Sequence, residues 1–416
     1  MKPRVLHIID SFESGGTERQ AMQLVRLLQE SGQCEVHLAC LQNKGPLRAE
    51  ADRLNLGEAA EYPLTSFYDS NFVKQLNRMR QYLTENEIDV VHSHCFYTNI
   101  FGMTAAALAR TPARISYKGE TDFRTPMQKR AERVAFRLSH RVVANSEAVR
   151  ERLISEGVTP EKIVQHYNGL DLRRVTVSQG STRAGILRSF DLPSSPGRKF
   201  VTIVANLRHA VKDIPMFLRA AARVRAAVPE AAFIIAGEGE LMSELRDMAA
   251  RLGVAADVFF VGRCDRIAEL LFISDVCALT SKAEGFSNSI LEYMAAARPA
   301  VVTDVGGARE AVVDGDTGFI VSVGDDETIA ARIVELLGDP QRAQEMGEKA
   351  KRRVSELFST EHHVANTLHL YAELLRKNST AEGTEVDAEI TEGTPQLCHP
   401  MNSSAPSANP SESSAV

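Results

Sequence analysis

The chain has no run of 18 apolar residues, so no membrane-spanning helix is expected. It has no surplus of positive charge either. Forty-eight Lys and Arg stand against 54 Asp and Glu, a formal net charge of −6, which argues against general nucleic-acid binding. Six cysteines (Cys34, Cys40, Cys95, Cys264, Cys277 and Cys398) form no Cys-x-x-Cys pair. Several sit in apolar strand-like runs, so buried reduced thiols are expected. The glycine spacing of a dinucleotide oxidoreductase is missing at the first strand-to-helix turn, and the later Gly237-Glu238-Gly239 continues with Met242 at the third glycine position. The opening Met1 to Asp10 has one short apolar stretch ended by an aspartate, which reads as a first strand rather than a signal peptide. Together these features point to the cytoplasm.

What is present is an alternation. Leu6–Ile9, Val36–Cys40, Val90–His92, Arg114–Tyr117 and Val142–Ala144 read as short buried strands, with helical patterns such as Glu18 to Gln29 and Asn71 to Glu85 between them. A second series starts at Phe200–Ala205 and continues with Ala232–Ala236, Val258–Val261, Val276–Thr280 and Ala300–Thr303. Alternating strands and helices predict parallel, doubly wound sheets, and two series predict two Rossmann-like α/β domains. The Gly- and Pro-containing stretch from Arg173 to Lys199 is expected to hold the interdomain linker. From Asn378 to Val416 there is no Lys or Arg, six acidic residues and few large apolar groups. Such a segment cannot bury enough surface to offset its chain entropy, and a disordered tail is expected.

The most informative stretch is Glu284-Gly285-Phe286-Ser287-Asn288, followed by Glu292. It comes after the Val276–Thr280 strand and leads into an apolar, helix-like run. Strand, glycine turn and helix point backbone N–H groups and a positive helix end at an anion. A carboxylate on the turn and another two turns on could then hold hydroxyls on either side of that anion. A nucleotide sugar has this layout.

The spacing is similar to the E-x7-E motif of retaining GT-B glycosyltransferases, and the surrounding residues resemble the GT4 family over about residues 1–375. Further family-like blocks follow in order: Ser14-Gly15-Gly16-Thr17-Glu18, Asp89 to His94, Ala144-Asn145-Ser146 and Asn168-Gly169-Leu170-Asp171. The second half has Val204 to Arg208 with Lys212, Ala236 to Gly239, Phe260-Val261-Gly262, Val305 to Glu310 and Asp314 to Gly318.

The resemblance implies a GT-B fold with its active site in the cleft between the domains. The implied boundaries are residues 1–175 for an acceptor domain, 176–199 for the linker, 200–358 for a donor domain, 359–377 for a helix crossing back, and 378–416 for the tail. It also implies a metal-independent enzyme without a cofactor, using a UDP- or GDP-linked sugar as donor. Lys212 and Arg208 are expected to stabilise the departing diphosphate. The Arg208 spacing departs from the commoner family pattern, so Asn206 and Arg208 both remain open as the family arginine's counterpart. Glu284 is expected at the donor sugar and Glu292 at the ribose hydroxyls. Gly285, Phe286, Ser287 and Asn288 are expected to offer backbone N–H groups, with the Asn288 amide reading a sugar hydroxyl. Gly15 and Gly16 are expected to meet the phosphates from across the cleft, Arg263 to stack on the base, and His94 to reach the donor sugar. His92 is expected to pack inside.

The implied acceptor is a saccharide or lipid-linked hydroxyl, in exopolysaccharide, lipopolysaccharide or glycolipid synthesis. Arg124, Lys129, Arg130, Arg133, Arg137 and Arg141 face a single acid, Glu132, with Met127, Val134, Phe136 and Leu138 interleaved. This segment is read as either a solvated helix face or a peripheral contact with an anionic inner membrane surface. A nucleotide-sugar epimerase, or a synthase of a small soluble glycoside, would share the fold. A binding protein that has lost activity is the rival from another class, and the intact glutamate pair with Lys212 favours the transferase.

Overall fold

The computed structural model describes residues 2–13, 15–120 and 124–391, with side chains described through Lys377. The first sheet holds β1 (Arg4–Ser11), β2 (Glu35–Gln42), β3 (Ala60–Glu61), β4 (Val90–Ser93), β5 (Ala113–Lys118), β6 (Arg141–Ala144) and β7 (Ile163–Gln165). Their spatial order is β3-β2-β1-β4-β5-β6-β7. The second sheet holds β8 (Lys199–Val204), β9 (Ala231–Ala236), β10 (Val258–Gly262), β11 (Val276–Leu279), β12 (Ala300–Thr303) and β13 (Phe319–Val321), in the order β10-β9-β8-β11-β12-β13. Every pairing within the two sheets is parallel.

The central strands are apolar because helices cover both faces. All six residues of β9 and all four of β11 are buried. In both sheets the strand order reverses beside the first strand, between β1 and β4 and between β8 and β11. A crevice opens at such a switch point, outside the carboxyl ends of the strands. The two crevices face each other, which is the GT-B arrangement.

Three short strands, β3, β7 and β13, carry too few residues to show an apolar pattern of their own. A larger difference concerns residues 176–199. This stretch is not a free linker. It contains the helix Arg183–Ser189, whose Ile186 and Leu187 are buried with Leu192 against Phe200, Ala232 and Ile234 of the second domain. Arg183 adds hydrogen bonds to the Ile273 carbonyl and the Asp275 carboxylate. Its glycines and prolines mark turns around a packed helix. The chain already meets the second domain's core at Leu170 and Val175.

The final helix, Thr360–Thr391, crosses back onto the first domain, where Leu370, Tyr371 and Leu374 join the core beneath β1 and β5. Its backbone runs past Lys377, where the helix was expected to end and the tail to begin. The remaining tail residues, 392–416, lie outside the described residues, as does Cys398. Of the five described cysteines, Cys34, Cys40 and Cys277 are buried free thiols, and Cys95 and Cys264 are half-buried. Burial pushes the Cys34 thiol up to about 11.

Candidate active site

The facing crevices enclose a cavity of about 760 Å³, lined by Gly15 and Gly16 from one domain and Lys212, Glu284 and Glu292 from the other. Lys212 sits in a short turn after β8. Its own carbonyl accepts the Thr280 hydroxyl, and Lys282 N donates to the Val211 carbonyl. The loop after β11 therefore pins the loop after β8. That pinning brings Lys212 Nζ to 2.5 Å from Glu284 Oε1, to which Ser281 Oγ also donates at 2.6 Å. Lys212 and Glu284 thus form one unit, where the sequence suggested two separate contacts.

The Glu284–Ser287 turn is held from behind. Gly307 N donates to the Gly285 carbonyl at 2.7 Å. Gly306 has φ +51°, and a Cβ there would stand 2.3 Å from the Glu284 carbonyl oxygen, so this position requires glycine. The helix Asn288–Ala295 follows, and its N-cap Ser287 makes no side-chain capping bond. First-turn amides have no partner within a helix, so this end presents donors and a positive dipole to the cavity. Phe286 is buried against Tyr167 and Phe358 and anchors the turn.

Glu292 lies on the same helix and is buried to 6% exposure. Burial raises its carboxyl above the ordinary range, opposed by Arg174 and Arg19. Arg174 stands 3.4 Å from Glu292 Oε1. Neither arginine was singled out in the sequence, because a lone Arg in a helix or after a turn carries no local signal. With Arg208, Lys212 and Arg263 they give the cavity five cationic side chains. Arg208 is about half exposed at the rim, 3.9 Å from Glu238, while Arg263 stands 3.5 Å from Asp265.

Two expectations need correction. The Asn288 amide is committed across the domain boundary. Its Oδ1 accepts from Gln20 Nε2 at 2.9 Å and Asn168 Nδ2 at 3.0 Å, and its Nδ2 donates to the Gly16 carbonyl at 3.3 Å. It clasps the domains instead of being left open to read a hydroxyl. His94 does not line this cavity. It lines an adjoining recess of about 400 Å³ and is only 4% exposed, with its ring tied to His7 at 2.8 Å. Gly16, Thr17, Tyr117, Gly119 and Glu120 border both spaces.

His92 packs inside as expected, with Nδ1 2.8 Å from the Tyr371 hydroxyl. Nitrogens of His7, His92 and His94 lie within 4.8 Å of one another, close enough to raise the question of a metal. The His7 and His94 rings answer it for that pair. Their planes differ by 13°, their centroids are 5.1 Å apart, and Nδ1 meets Nε2 at 2.8 Å. These values describe two rings joined edge to edge by a hydrogen bond, with the N–H of one aimed at the lone pair of the other rather than at a third point. Burial depresses all three imidazoles, His7 to about 3.

Other contacts across the boundary were missed. The Glu310 carboxylate accepts from Glu147 N and Ala148 N, capping the helix Glu147–Ser155 of the opposite domain. Gly285 lies so near the first domain that a Cβ would stand 2.1 Å from the Gly119 oxygen and 3.0 Å from Asn145 Oδ1. Gly285→Ala should therefore hold the domains apart and lower turnover on the order of tenfold. Because the clash is between domains, helix content by circular dichroism should stay at the wild-type level. Unchanged turnover would show that this close approach is not needed.

Two parallel α/β domains facing across a cation-lined cleft define a GT-B protein. The glycosyltransferase family 4 description matches residues 14–174, and the glycosyl transferases group 1 description matches residues 188–353. The chain belongs to the GT4 group 1 glycosyltransferase family.

Among relatives, the N-acetyl-alpha-D-glucosaminyl L-malate synthase of Bacillus anthracis is 31% identical over 239 residues, 56% of this chain. The chain spans 61% of that relative's length. The UDP-Gal:alpha-D-GlcNAc-diphosphoundecaprenol alpha-1,3-galactosyltransferase of Escherichia coli is 24% identical over 390 residues, covering 90% of this chain and 98% of that protein. Among solved structures, Anabaena HepE in complex with UDP and glucose superposes with a TM-score of 0.77 at 20% identity, covering 89% of this chain and all of that one.

Proposed function

We propose that the chain is a retaining, metal-independent glycosyltransferase. It moves a hexose-type sugar from a UDP- or GDP-linked donor to a hydroxyl acceptor in exopolysaccharide, lipopolysaccharide or glycolipid synthesis. The observation that carries this reading is the Lys212–Glu284 pair beside the open N-terminus of the Asn288–Ala295 helix, with Glu292 further along it. Lys212 and the helix amides stabilise the departing diphosphate. Glu284 accepts hydroxyl hydrogens of the transferring sugar, and Glu292, with Arg174 beside it, holds the ribose end. The acceptor hydroxyl attacks the face that the diphosphate leaves, and a donor phosphate oxygen takes its proton. The bond from sugar carbon to acceptor oxygen forms as the bond to phosphate breaks, so configuration is retained. The names of the relatives, a malate glycoside synthase and a lipid-linked galactosyltransferase, support the transferase class and leave donor and acceptor open.

The test is incubation of the full chain with UDP- and GDP-hexoses and lipid-linked saccharides, followed by proton NMR of donor and product. A product with the donor's anomeric configuration, formed equally well with a chelator present, is expected. A donor altered without acceptor would mark an epimerase. Donor binding without turnover would mark a binding protein.

We also propose that the enzyme works against a membrane surface. Met127, Arg130, Val134 and Arg137 lie on one exposed face of the helix Pro126–Leu138, with Met127 66% exposed. The Tyr68 hydroxyl reaches the Met127 sulfur, and Tyr68 is 84% exposed. Three other basic residues of this segment are used internally. Lys129 pairs with Glu156, Arg141 with Glu373, and Arg124 stacks on Phe96. The protein should sediment with anionic vesicles, be released by salt, and lose binding when Arg130 and Arg137 are both changed to Glu. Equal sedimentation with neutral vesicles, or none with either, would contradict this.

A further inference from the structure

The recess beside the donor cavity opens at the carboxyl ends of β1, β4 and β5, and its size lies in the range of ligand pockets. Its charge is one-sided. Lys118 Nζ meets both oxygens of Glu132 at 3.1 Å, so that pair is internally neutral. The Arg124 guanidinium lies 3.8 Å from the Phe96 ring centre and bonds the Glu120 carboxylate. Asp10 and Glu18 remain, and neither has a salt-bridge partner among the described residues. Asp10 accepts a hydrogen bond from Thr98 N at 3.2 Å. Burial, with Glu18 and Glu120 nearby, pushes its carboxyl up to about 7. The recess thus already resists holding another negative charge.

A second feature points to a ligand. His94 lines the recess and is 96% buried. Its Nε2 is tied to His7 Nδ1, while its Nδ1 makes no hydrogen bond to the described residues. An imidazole nitrogen left open beside the recess can bond whatever fills that space. Carboxylates accept hydroxyl hydrogens well, and an imidazole nitrogen bonds a hydroxyl in either tautomer. Phosphate and carboxylate groups offer acceptor oxygens and negative charge, which this wall opposes.

We infer that this recess takes the reacting sugar of the acceptor as an uncharged polyhydroxyl ring, and that Asp10 and Glu18 discriminate against acceptors bearing a carboxylate or phosphate on that ring. The inference rests on the transferase reading above and goes further by naming the acceptor's chemical class. Its border with the donor cavity at Gly16, Thr17 and Gly119 places the two reactants side by side.

The test uses the full chain, a UDP- or GDP-hexose that it consumes, and pairs of nitrophenyl glycosides that differ only at C6. Each pair has a neutral hexoside and the matching uronide, in gluco, galacto and manno configurations. Transfer to a neutral member should exceed transfer to its uronide by at least about tenfold in kcat/KM. Combining Asp10→Asn with Glu18→Gln should narrow that ratio several-fold, mainly through the acceptor KM. Equal or faster transfer to uronides, or an unchanged ratio in the variant, would overturn the inference. So would donor consumption with no transfer to any member of the panel, since the recess would then not be the acceptor subsite. In each of these cases donor consumption leaves the transferase reading standing. Failure to bind or consume any nucleotide sugar, read by thermal shift and released nucleotide, would remove both.

Discussion

Lys212→Ala is expected to lower turnover on the order of 100-fold or more at saturating donor, with the fold intact. The reason lies in when the charge is needed. The diphosphate gains negative charge as the glycosidic bond breaks, so a cation beside it contributes more in the transition state than in the ground state. Lys212 is placed for this by the turn after β8, which the loop after β11 holds through Thr280 and Lys282. The removed side chain is only 20% exposed and pairs with Glu284. The variant should therefore also weaken the hold on Glu284, and a modest rise in the donor KM is expected. Initial rates over a donor series, with far-ultraviolet circular dichroism as the folding control, measure both effects. Near-wild-type turnover would remove Lys212 from the chemistry.

The two glutamates should fail in different ways. Glu284→Gln is expected to lower turnover on the order of 100-fold, because a carboxylate beside the sugar is worth more as positive charge builds on the reacting carbon. Neutralising it also leaves Lys212 without its 2.5 Å partner. Glu292→Gln is expected mainly to raise the donor KM, since the ribose end does not react and its contacts are similar in both states. Stability gives a second contrast. A folded-state carboxyl raised above its unfolded value means that the folded chain resists the charge, and at neutral pH this counts against folding. Burial is the first cause of that rise at Glu292. Glu292→Gln should therefore melt at or above the wild-type temperature. Matching kinetic patterns in the two variants would contradict the assigned roles.

Much of this site is legible along the sequence, and the reasons are local. Glu284 and Glu292 stand out because a strand, a glycine turn and a helix fix their relation within nine residues. Lys212 stands out because it follows a strong strand at the end where ligands bind. The missed residues act through distance. Arg19 and Arg174 are 155 positions apart in sequence and meet Glu292 only because two domains close on one helix. Glu310 caps a helix that begins 163 positions earlier, and no local pattern marks a carboxylate for that task. Asn288 shows the opposite error. Its neighbours line the cavity, yet its own amide is spent on Gln20, Asn168 and Gly16. The 176–199 stretch reads as a linker because glycine and proline mark turns whether or not the residues between them pack. Ile186, Leu187 and Leu192 were the contrary signal.

The most direct test of the account is a crystal structure of the full chain with a UDP- or GDP-hexose bound. The account predicts the diphosphate within hydrogen-bonding distance of Lys212 and the first-turn amides of the Asn288–Ala295 helix. It places sugar hydroxyls on Glu284 and ribose hydroxyls on Glu292. A donor bound elsewhere, or a diphosphate distant from both Lys212 and that helix end, would contradict it.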